Sequence, residues 1–259
     1  MWTQKDMKVA VMQPYFFPYI AYWQLYYFVD MWVILDEVQF RKFSWMRRNR
    51  ILHNGIDKEL QYINIPVRKH DQKIPINKVR VNNDVSWRDE IKNRLHVYKK
   101  LNAGYYAEVT KLVSDVIDRD NLSLTEVMIN TLDALNSYLD METEYVLSSD
   151  IDFNRNEVKA PDEWSLYITD ALGGDQYINP PGGMEIYESG KFNNKGIELL
   201  FLIPEFREYP QSINSFIPGL SIIDVLMFNN VGEIRDMLKS DFVIVSAGEA
   251  CRKAEMIKQ

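Results

Sequence analysis

Residues 8–36 read KVAVMQPYFFPYIAYWQLYYFVDMWVILD, and this stretch decides the fold. The segments KVAVM (8–12) and WVIL (32–35) are short apolar runs rich in β-branched residues, which predicts two buried strands. Between them, Pro18 suits the first position of a helix, and Asp30 ends the aromatic run that follows. A strand, a helix and a strand in this order usually give parallel strands with a right-handed crossover. The sequence therefore predicts an N-terminal βαβ unit.

Aromatic residues are concentrated in this stretch, and ten of the 33 in the chain lie between Tyr15 and Trp32. No membrane span is predicted here, because Pro14, Pro18 and Asp30 interrupt the run well short of about 18 uncharged apolar residues. The basic start and plain apolar stretch of a secretory signal are also missing. We expect the helical aromatic residues in the core. Tyr15, Phe16 and Phe17 lie in the loop before the helix, and one of them is a candidate to line a pocket.

The composition is that of a globular protein. The 259 residues are 46% hydrophobic and 26% charged, which is enough for a large core. Because 37 acidic residues outnumber 30 basic ones, the net charge of −7 argues against nucleic acid as a partner. The single cysteine, Cys251, excludes an internal disulfide and fits a reducing compartment. We therefore expect a cytoplasmic protein with no integral membrane segment.

Further apolar runs extend the N-terminal unit into a larger α/β fold. Residues 60–67, 144–147 and 197–203 each read as a buried strand. Helices are predicted after Asp162 and after Ser221, each of which is placed as an N-cap. Together these elements predict a mostly parallel, Rossmann-like sheet.

Three successive helical patterns fall between residues 84 and 140. The third begins at Ser123, with Glu126 at capping-box spacing. We predict that 84–140 forms a helical lobe or insert, and that 1–83 together with 141–259 forms the α/β body that carries the site. Neither an internal repeat nor a low-complexity linker separates these parts.

The carboxyl ends of the first two strands are the first place to look for a ligand. In open α/β sheets, ligands bind beyond the carboxyl ends of the strands. Gln13 follows the first strand, and Asp36 with Glu37 ends the second. We expect Gln13 and Asp36 to lie together at this edge.

The segment RKFSWMRRNR (41–50) carries five basic residues with Phe43 and Trp45 between them. Arginine binds phosphate or carboxylate through two parallel hydrogen bonds, and an aromatic ring can stack on a base or a sugar face. One interpretation is a site for an anionic, partly planar ligand such as a nucleotide-linked sugar. The other is a solvated basic loop that Asp36 and Glu37 balance. The spacing alone leaves both open.

His53 is the histidine that follows this cluster, and it is the only one considered as a base. The alternative is an ordinary surface histidine. None of the three histidines has a partner at metal-ligand spacing, so no metal site is predicted. The D-x-D pairs at 118–120 and 150–152, a pattern found in metal-dependent glycosyltransferases, are no more frequent than chance predicts.

These segments together resemble the WbqC-like proteins. The family pattern runs Q-P-x-Y-x-P, then L-D-x-V-Q, then W-x-x-R-N-R-I. The matching segments are QPYFFPYIAYW (13–23), WVILDEVQF (32–40), RKFSWMRRNRI (41–51), INIPV (63–67), EYPQ (208–211) and PGLSIIDVL (218–226). The likeness covers about residues 7–240.

The resemblance implies a role in the synthesis of O-antigen or another surface polysaccharide, with transfer of glycine or another acyl group to an amino sugar. The family pattern falls on Gln13, Pro14, Asp36, Gln39, Trp45, Arg48, Asn49, Arg50, Pro66, Gln211, Ser221 and Asp224. This sequence departs from the family pattern at Tyr19, Ala21 and Trp23, and at the PPGG turn of residues 180–183.

From the residues and the resemblance together we predict an N-acyl or aminoacyl transferase that acts on a nucleotide-linked amino sugar. Asp36 is predicted to act as the base or to orient the amine, and His53 is the second predicted catalytic residue. Arg48 and Arg50 would hold the pyrophosphate, and Trp45 would stack on the nucleoside base. The remaining predicted substrate contacts are Gln13, Tyr15, Gln39, Asn49, Gln211 and Asp224.

The acyl donor stays open between a thioester on coenzyme A, a thioester on an acyl carrier protein, and an activated amino acid. Two other functions also stay open. One is a non-catalytic protein that binds a sugar nucleotide or a glycan intermediate, or that assists assembly. The other is a metal-dependent glycosyltransferase. The many aromatic residues leave a homodimer interface open as well.

Overall fold

A computed structural model describes residues 6–55, 58–120 and 123–249 of the chain. Cys251 lies outside these residues. The strands are β1 (Lys8–Met12), β2 (Met31–Ile34), β3 (Arg48–Gly55), β4 (Lys58–Asn64), β5 (Glu144–Leu147), β6 (Gln176–Asn179), β7 (Glu198–Pro204) and β8 (Phe242–Ser246). The helices are α1 (Ile20–Phe28), α2 (Trp87–Lys100), α3 (Tyr106–Ile117), α4 (Leu124–Leu139), α5 (Glu163–Ala171), α6 (Ser189–Asn193), α7 (Ile222–Phe228) and α8 (Val231–Ser240).

The central sheet has six strands in the order β5-β2-β1-β6-β7-β8. All neighbours pair in parallel except β8, which runs antiparallel to β7 at one edge. This arrangement confirms the predicted mostly parallel, Rossmann-like α/β fold, and β1-α1-β2 confirms the N-terminal βαβ unit. The chain order reverses between β1 and β6, and open α/β sheets bind ligands beside such a switch point.

Helix α1 is buried on most faces, because its own side chains are apolar or aromatic on nearly every side. The rings of Trp23 and Tyr26 meet edge to face at 5.7 Å, and Tyr26 meets Trp32 of β2 at 5.2 Å. Gln24 is the polar exception, and its Nε2 donates to the carbonyl oxygens of Met237 and Asp241. The helix therefore joins the sheet to the C-terminal part of the chain. In the part of the chain that the structure describes, no helix is long and apolar enough to cross a membrane.

The three helices predicted between residues 84 and 140 are α2, α3 and α4. Ser123 and Glu126 form the predicted capping box at the start of α4, with Glu126 N donating to Ser123 Oγ at 3.2 Å. The buried faces of these helices belong to the same hydrophobic cluster as α1 and one side of the sheet. The division of the chain into a body and a lobe stays a prediction.

Strands β3 and β4 form a separate antiparallel hairpin, in which Arg48 lies opposite Asn64. The sequence indicates a strand only for the second half of this hairpin. The polar start of β3 hides its strand character, because Arg48, Asn49 and Arg50 interrupt the apolar pattern. Strands β6 and β8 were also not predicted. β6 has four residues and only one β-branched side chain, whereas β8 reads FVIVS, an apolar β-branched run whose local signal was overlooked.

The predicted helix caps have different outcomes. Ser221 Oγ accepts a hydrogen bond from Ile223 N at 3.3 Å, so the cap of α7 is confirmed. Asp162 is at the predicted N-cap position of α5, but its side chain makes no capping hydrogen bond to the helix. Its carboxylate instead pairs with Lys191 Nζ at 3.1 Å, which offers a buried anion a full positive charge.

The PPGG segment forms a tight turn after β6, and Gly183 has no room for a side chain. A Cβ at Gly183 would lie 2.3 Å from Asn179 Oδ1 and 2.7 Å from Tyr187 Cε2. We expect Gly183→Ala to lower the free energy of unfolding by about 1–3 kcal/mol, measured by urea denaturation. Gly182→Ala is the matched control, because a Cβ there meets nothing within 4 Å. Equal stability of the two variants would contradict this packing.

Candidate functional site

A cavity of about 330 Å³ lies beyond the carboxyl ends of β1 and β7, the strands on either side of β6. Its lining comes from the β1–α1 loop, the start of the hairpin, the segment after β7 and the segment before α7. The lining residues are Tyr15, Tyr19, Trp45, Asn49, Arg50, Phe206 and Gly219. This position agrees with the expectation that ligands bind at the carboxyl edge of an α/β sheet.

The backbone at Phe17 holds three segments of this cavity together. Phe17 is fully buried and has a φ of 40°, a left-handed conformation that is costly for a residue with a side chain. Its carbonyl oxygen accepts hydrogen bonds from Asn49 Nδ2 and Ser221 Oγ, both at 2.7 Å. Asn49 Nδ2 also donates to the carbonyl oxygen of Phe16 at 3.2 Å. These contacts fix the loop that carries Tyr15 against the hairpin and the start of α7.

Arg50 supplies the positive charge of the cavity. Its guanidinium carbon lies 5.3 Å from the centre of the Trp45 ring, and its Nη2 donates to Gly219 O at 3.4 Å. Its Nε is buried and has no hydrogen-bond partner. Arg50 also has no carboxylate within ion-pair distance among the described residues. A half-buried guanidinium with a buried, unpartnered Nε favours an anionic ligand.

Arg48 lies on the same hairpin, next to Trp45 and Tyr62. Its guanidinium carbon is 5.7 Å from the centre of the Trp45 ring and 5.0 Å from that of Tyr62. Its Nη2 donates to Phe43 O at 2.9 Å, and its Nε, like that of Arg50, has no partner. Arg48 is outside the cavity lining. Of the two predicted pyrophosphate ligands, Arg50 is therefore at the wall of the cavity and Arg48 is at its rim.

Tyr15 and Tyr19 supply neutral hydroxyl groups. Burial raises the pKa of both phenols above the usual value, so both stay protonated near neutral pH. Neither hydroxyl makes a hydrogen bond to another residue in the described part of the chain, so both can donate to a ligand. The ring of Tyr19 lies 6.4 Å from that of Phe206, which forms the part of the lining that follows β7.

Asp36 ends β2 as predicted, but its carboxylate points to the segment after β5. One oxygen accepts hydrogen bonds from Ser148 Oγ at 2.8 Å and Ser149 N at 3.1 Å, and the other accepts from Ser149 Oγ at 2.9 Å. The side chain is 1% exposed and does not line the cavity. No hydrogen bond joins it to Gln13 in the described structure. A catalytic role for Asp36 stays a prediction.

Three other predicted residues lie away from the cavity lining. Gln39 is exposed, and its Nε2 donates to Gln72 O at 2.8 Å. Gln13 is half-buried beyond β1, and its carbonyl oxygen accepts a hydrogen bond from Tyr22 at 3.2 Å. His53 borders a second, larger cavity of about 620 Å³ between the hairpin and α2. His53, the histidine considered as a base, and Arg50, a predicted phosphate ligand, therefore line different cavities.

Gln211 and Asp224 form a buried polar cluster with two tyrosines. Asp224 is fully buried, and its oxygens accept hydrogen bonds from Tyr98 at 2.8 Å, Tyr209 at 2.7 Å and Gln211 Nε2 at 2.7 Å. Burial raises the pKa of this carboxyl group, and the three donors act against that effect. Gln211 also accepts from Ile217 N at 2.7 Å, so the pair fixes the segment before α7.

The sequence missed three residues of the lining, namely Tyr19, Phe206 and Gly219. Tyr19 belongs to the aromatic loop and Gly219 to the matching segment PGLSIIDVL, so both were within reach of sequence reasoning, whereas Phe206 carries no local signal. Asp150 and Asp152 of the second D-x-D pair are exposed and lie outside the cavity lining. Among the described residues, no three acidic, histidine or cysteine side chains are grouped as a metal site.

The fold and the cavity together define an α/β protein with an arginine and aromatic site at the carboxyl edge of its sheet. The model of the WbqC-like protein family matches residues 13–236, and the chain belongs to this family. It is also similar to the uncharacterized protein Rv1507c of Mycobacterium tuberculosis, with 26% identity over 237 residues that cover 90% of this chain and 97% of that protein. No solved structure matches the chain significantly.

Proposed function

We propose that the protein binds a nucleotide-linked amino sugar in the cavity and transfers an acyl or aminoacyl group to its amine, in the synthesis of O-antigen or another surface polysaccharide. The observation that carries the proposal is the guanidinium of Arg50, which faces aromatic walls without a carboxylate partner in the described structure. Phosphate supplies the missing anion, and a base or sugar ring suits the walls.

The size of the cavity agrees with this class of ligand. A volume of about 330 Å³ is at the lower end of the range for small-molecule sites. The cavity therefore accommodates part of a nucleotide sugar, and the remainder extends along the hairpin. Arg48 lies there, at the rim, where a second phosphate oxygen would meet its guanidinium.

The chemical step needs a neutral amine and donors for the developing oxyanion. The amine nitrogen attacks the carbonyl carbon of an acyl thioester, the C–S bond breaks, and the amine proton passes to the leaving thiolate. The products are an amide and a free thiol. The protonated hydroxyls of Tyr15 and Tyr19 are the neutral donors that we assign to the oxyanion. Coenzyme A and an acyl carrier protein are the thioester classes considered, and both suit a cytoplasmic enzyme.

A second candidate function is binding without catalysis, and one observation favours it. The residues that line the cavity include neither a carboxylate nor an imidazole that would take the amine proton. A protein that only holds or delivers a sugar nucleotide needs no such group. The two candidates share the same ligand and differ in turnover.

The test is a direct assay with a UDP-linked amino sugar and an acyl or aminoacyl thioester. Free thiol is followed by absorbance, and the acylated sugar nucleotide by its mass. Formation of both products supports the transferase. Binding without product, across coenzyme A and carrier-protein donors, favours the second candidate. If no UDP-, dTDP- or GDP-linked sugar binds, the proposed ligand class is wrong.

A further inference from the structure

The loop before the hairpin ends in a small exposed turn, residues 41–44. Ser44 closes this turn, because its N and its Oγ donate to Arg41 O at 3.0 and 2.6 Å. Phe43 lies at the turn and is 73% exposed, the largest exposure among the large apolar residues described. Lys42 Nζ lies 5.7 Å from the centre of its ring. The turn therefore presents an aromatic ring together with positive charge.

Two arginines hold the turn in this conformation. Arg47 Nε donates to Lys42 O at 2.9 Å, and Arg48 Nη2 donates to Phe43 O at 2.9 Å. Arg47 also donates to Ile65 O at 3.0 Å, which connects the turn to the segment after β4. Phe43 is therefore exposed on a braced turn and does not pack into the core.

The surface around the turn is aromatic and basic. Trp45 is 37% exposed, Tyr62 is 39% exposed, and the two rings are 6.3 Å apart. Residues 41–50 contain five basic residues and no acidic one, although the chain as a whole carries a net charge of −7. We name the turn 41–44 together with Trp45 and Tyr62 the basic aromatic face.

We propose that the basic aromatic face docks the protein on a membrane surface that contains anionic lipids. Lysine and arginine are attracted to anionic headgroups, and aromatic side chains favour the boundary between headgroups and acyl chains. A protruding ring suits a deformable lipid surface better than an acidic protein, which would need a matching hollow for Phe43. Because Trp45 belongs to both the face and the cavity lining, the docked protein holds its cavity close to the headgroups.

The test measures binding of the full chain to vesicles by sedimentation. We expect binding to vesicles of phosphatidylcholine mixed with phosphatidylglycerol, and much weaker binding to phosphatidylcholine alone. Added salt should weaken the binding, because it screens exposed charges. The vesicle mixture contains neither a sugar nucleotide nor an acyl donor, so the result does not depend on the proposed function. Equal binding to both kinds of vesicle, or to neither at low ionic strength, would overturn it.

Single substitutions on the basic aromatic face locate the contact. Lys42→Ala should weaken binding to the mixed vesicles roughly fivefold, as expected for one basic charge near an anionic surface. Phe43→Ala should weaken it several-fold, through loss of the inserted ring. Ile186→Ala and Lys239→Ala are the controls, because both residues are exposed and belong to other parts of the fold.

The four substituted side chains, Lys42, Phe43, Ile186 and Lys239, are exposed. The variants should therefore keep the thermal stability of the parent protein. If the Phe43 and Lys42 variants bind like the controls, the face is not the docking surface. Docking also predicts that the tryptophan fluorescence of the parent shifts to the blue on mixed vesicles, because Trp45 enters a less polar environment. No shift in the presence of bound vesicles would also contradict the proposal.

Discussion

Arg50→Ala is expected to weaken the binding of a UDP-linked amino sugar about ten- to a hundredfold. A hydrogen bond to a charged group contributes about 1.5–3 kcal/mol, and each 1.4 kcal/mol is tenfold in affinity. Arg50 is the one arginine of the cavity lining, and its Nε has no partner within the described structure. Isothermal titration calorimetry with the parent and the variant measures the difference.

The same substitution should leave the fold nearly unchanged. The hydrogen bond from the Arg50 side chain to Gly219 O is long, at 3.4 Å. Arg50→Lys keeps the charge but loses the planar fork, so an intermediate affinity is expected. Arg80→Ala is the matched control, because Arg80 is exposed and outside the cavity lining. Unchanged affinity in a folded Arg50→Ala protein would remove the main support for the proposed ligand.

Asn49→Ala is expected to lower the free energy of unfolding by about 2–4 kcal/mol. The buried amide of Asn49 donates to the carbonyl oxygens of Phe16 and Phe17 and accepts from Arg50 N at 2.8 Å. Alanine removes the side-chain partner of Phe16 O and of Arg50 N, and each unsatisfied group costs about 1–3 kcal/mol before the structure relaxes. Phe17 O keeps its hydrogen bond from Ser221 Oγ. The substitution also weakens the restraint on the left-handed backbone of Phe17.

Urea denaturation of Asn49→Ala beside Asn64→Ala measures this effect. Asn64 lies opposite Arg48 in the same hairpin and is half-buried, so Asn64→Ala is a matched control. We expect it to lower the free energy of unfolding only slightly. We expect the Asn49 variant also to lose affinity for the sugar nucleotide, since the loop of Tyr15 would no longer be fixed. Equal stability of the two variants would show that Asn49 does not hold the cavity together.

The sequence was sufficient for the elements whose signal is local. KVAVM and WVIL form strands because their β-branched residues are buried on both faces of a parallel sheet. Ser123 with Glu126, and Ser221, begin helices because a side-chain oxygen satisfies a nearby backbone N–H group. The family pattern likewise lies in continuous segments that are visible in the chain.

The sequence was not sufficient for β3. The start of β3 is polar, and the hairpin that it forms with β4 supplies its hydrogen bonds. Its stabilising partner lies elsewhere in the chain, so a local pattern carries little information. β8 differs, because FVIVS is an apolar β-branched run that indicates a strand locally, and its pairing with β7 agrees with that pattern.

The sequence alone predicted only part of the candidate site. Trp45 and Arg50 were predicted from the basic aromatic segment 41–50 and Tyr15 from the loop after the first strand, and the cavity contains all three. Asp36 and Asp224 were also predicted as site residues from the sequence. Both carboxylates instead accept hydrogen bonds from side chains inside the fold. Whether a charged residue faces a cavity or a buried donor depends on segments that are distant in the chain.

The sequence by itself determined the family, the parallel α/β fold and a basic aromatic segment suited to an anion. Only the tertiary structure decided which of its residues meet in one cavity. Phe206 and Gly219 reach Tyr15 because the sheet orders β1, β6 and β7 side by side and because Ser221 donates to Phe17 O. The physical reason is that backbone propensity and hydrophobic periodicity act over a few residues, whereas a binding cavity forms where distant segments exclude water together.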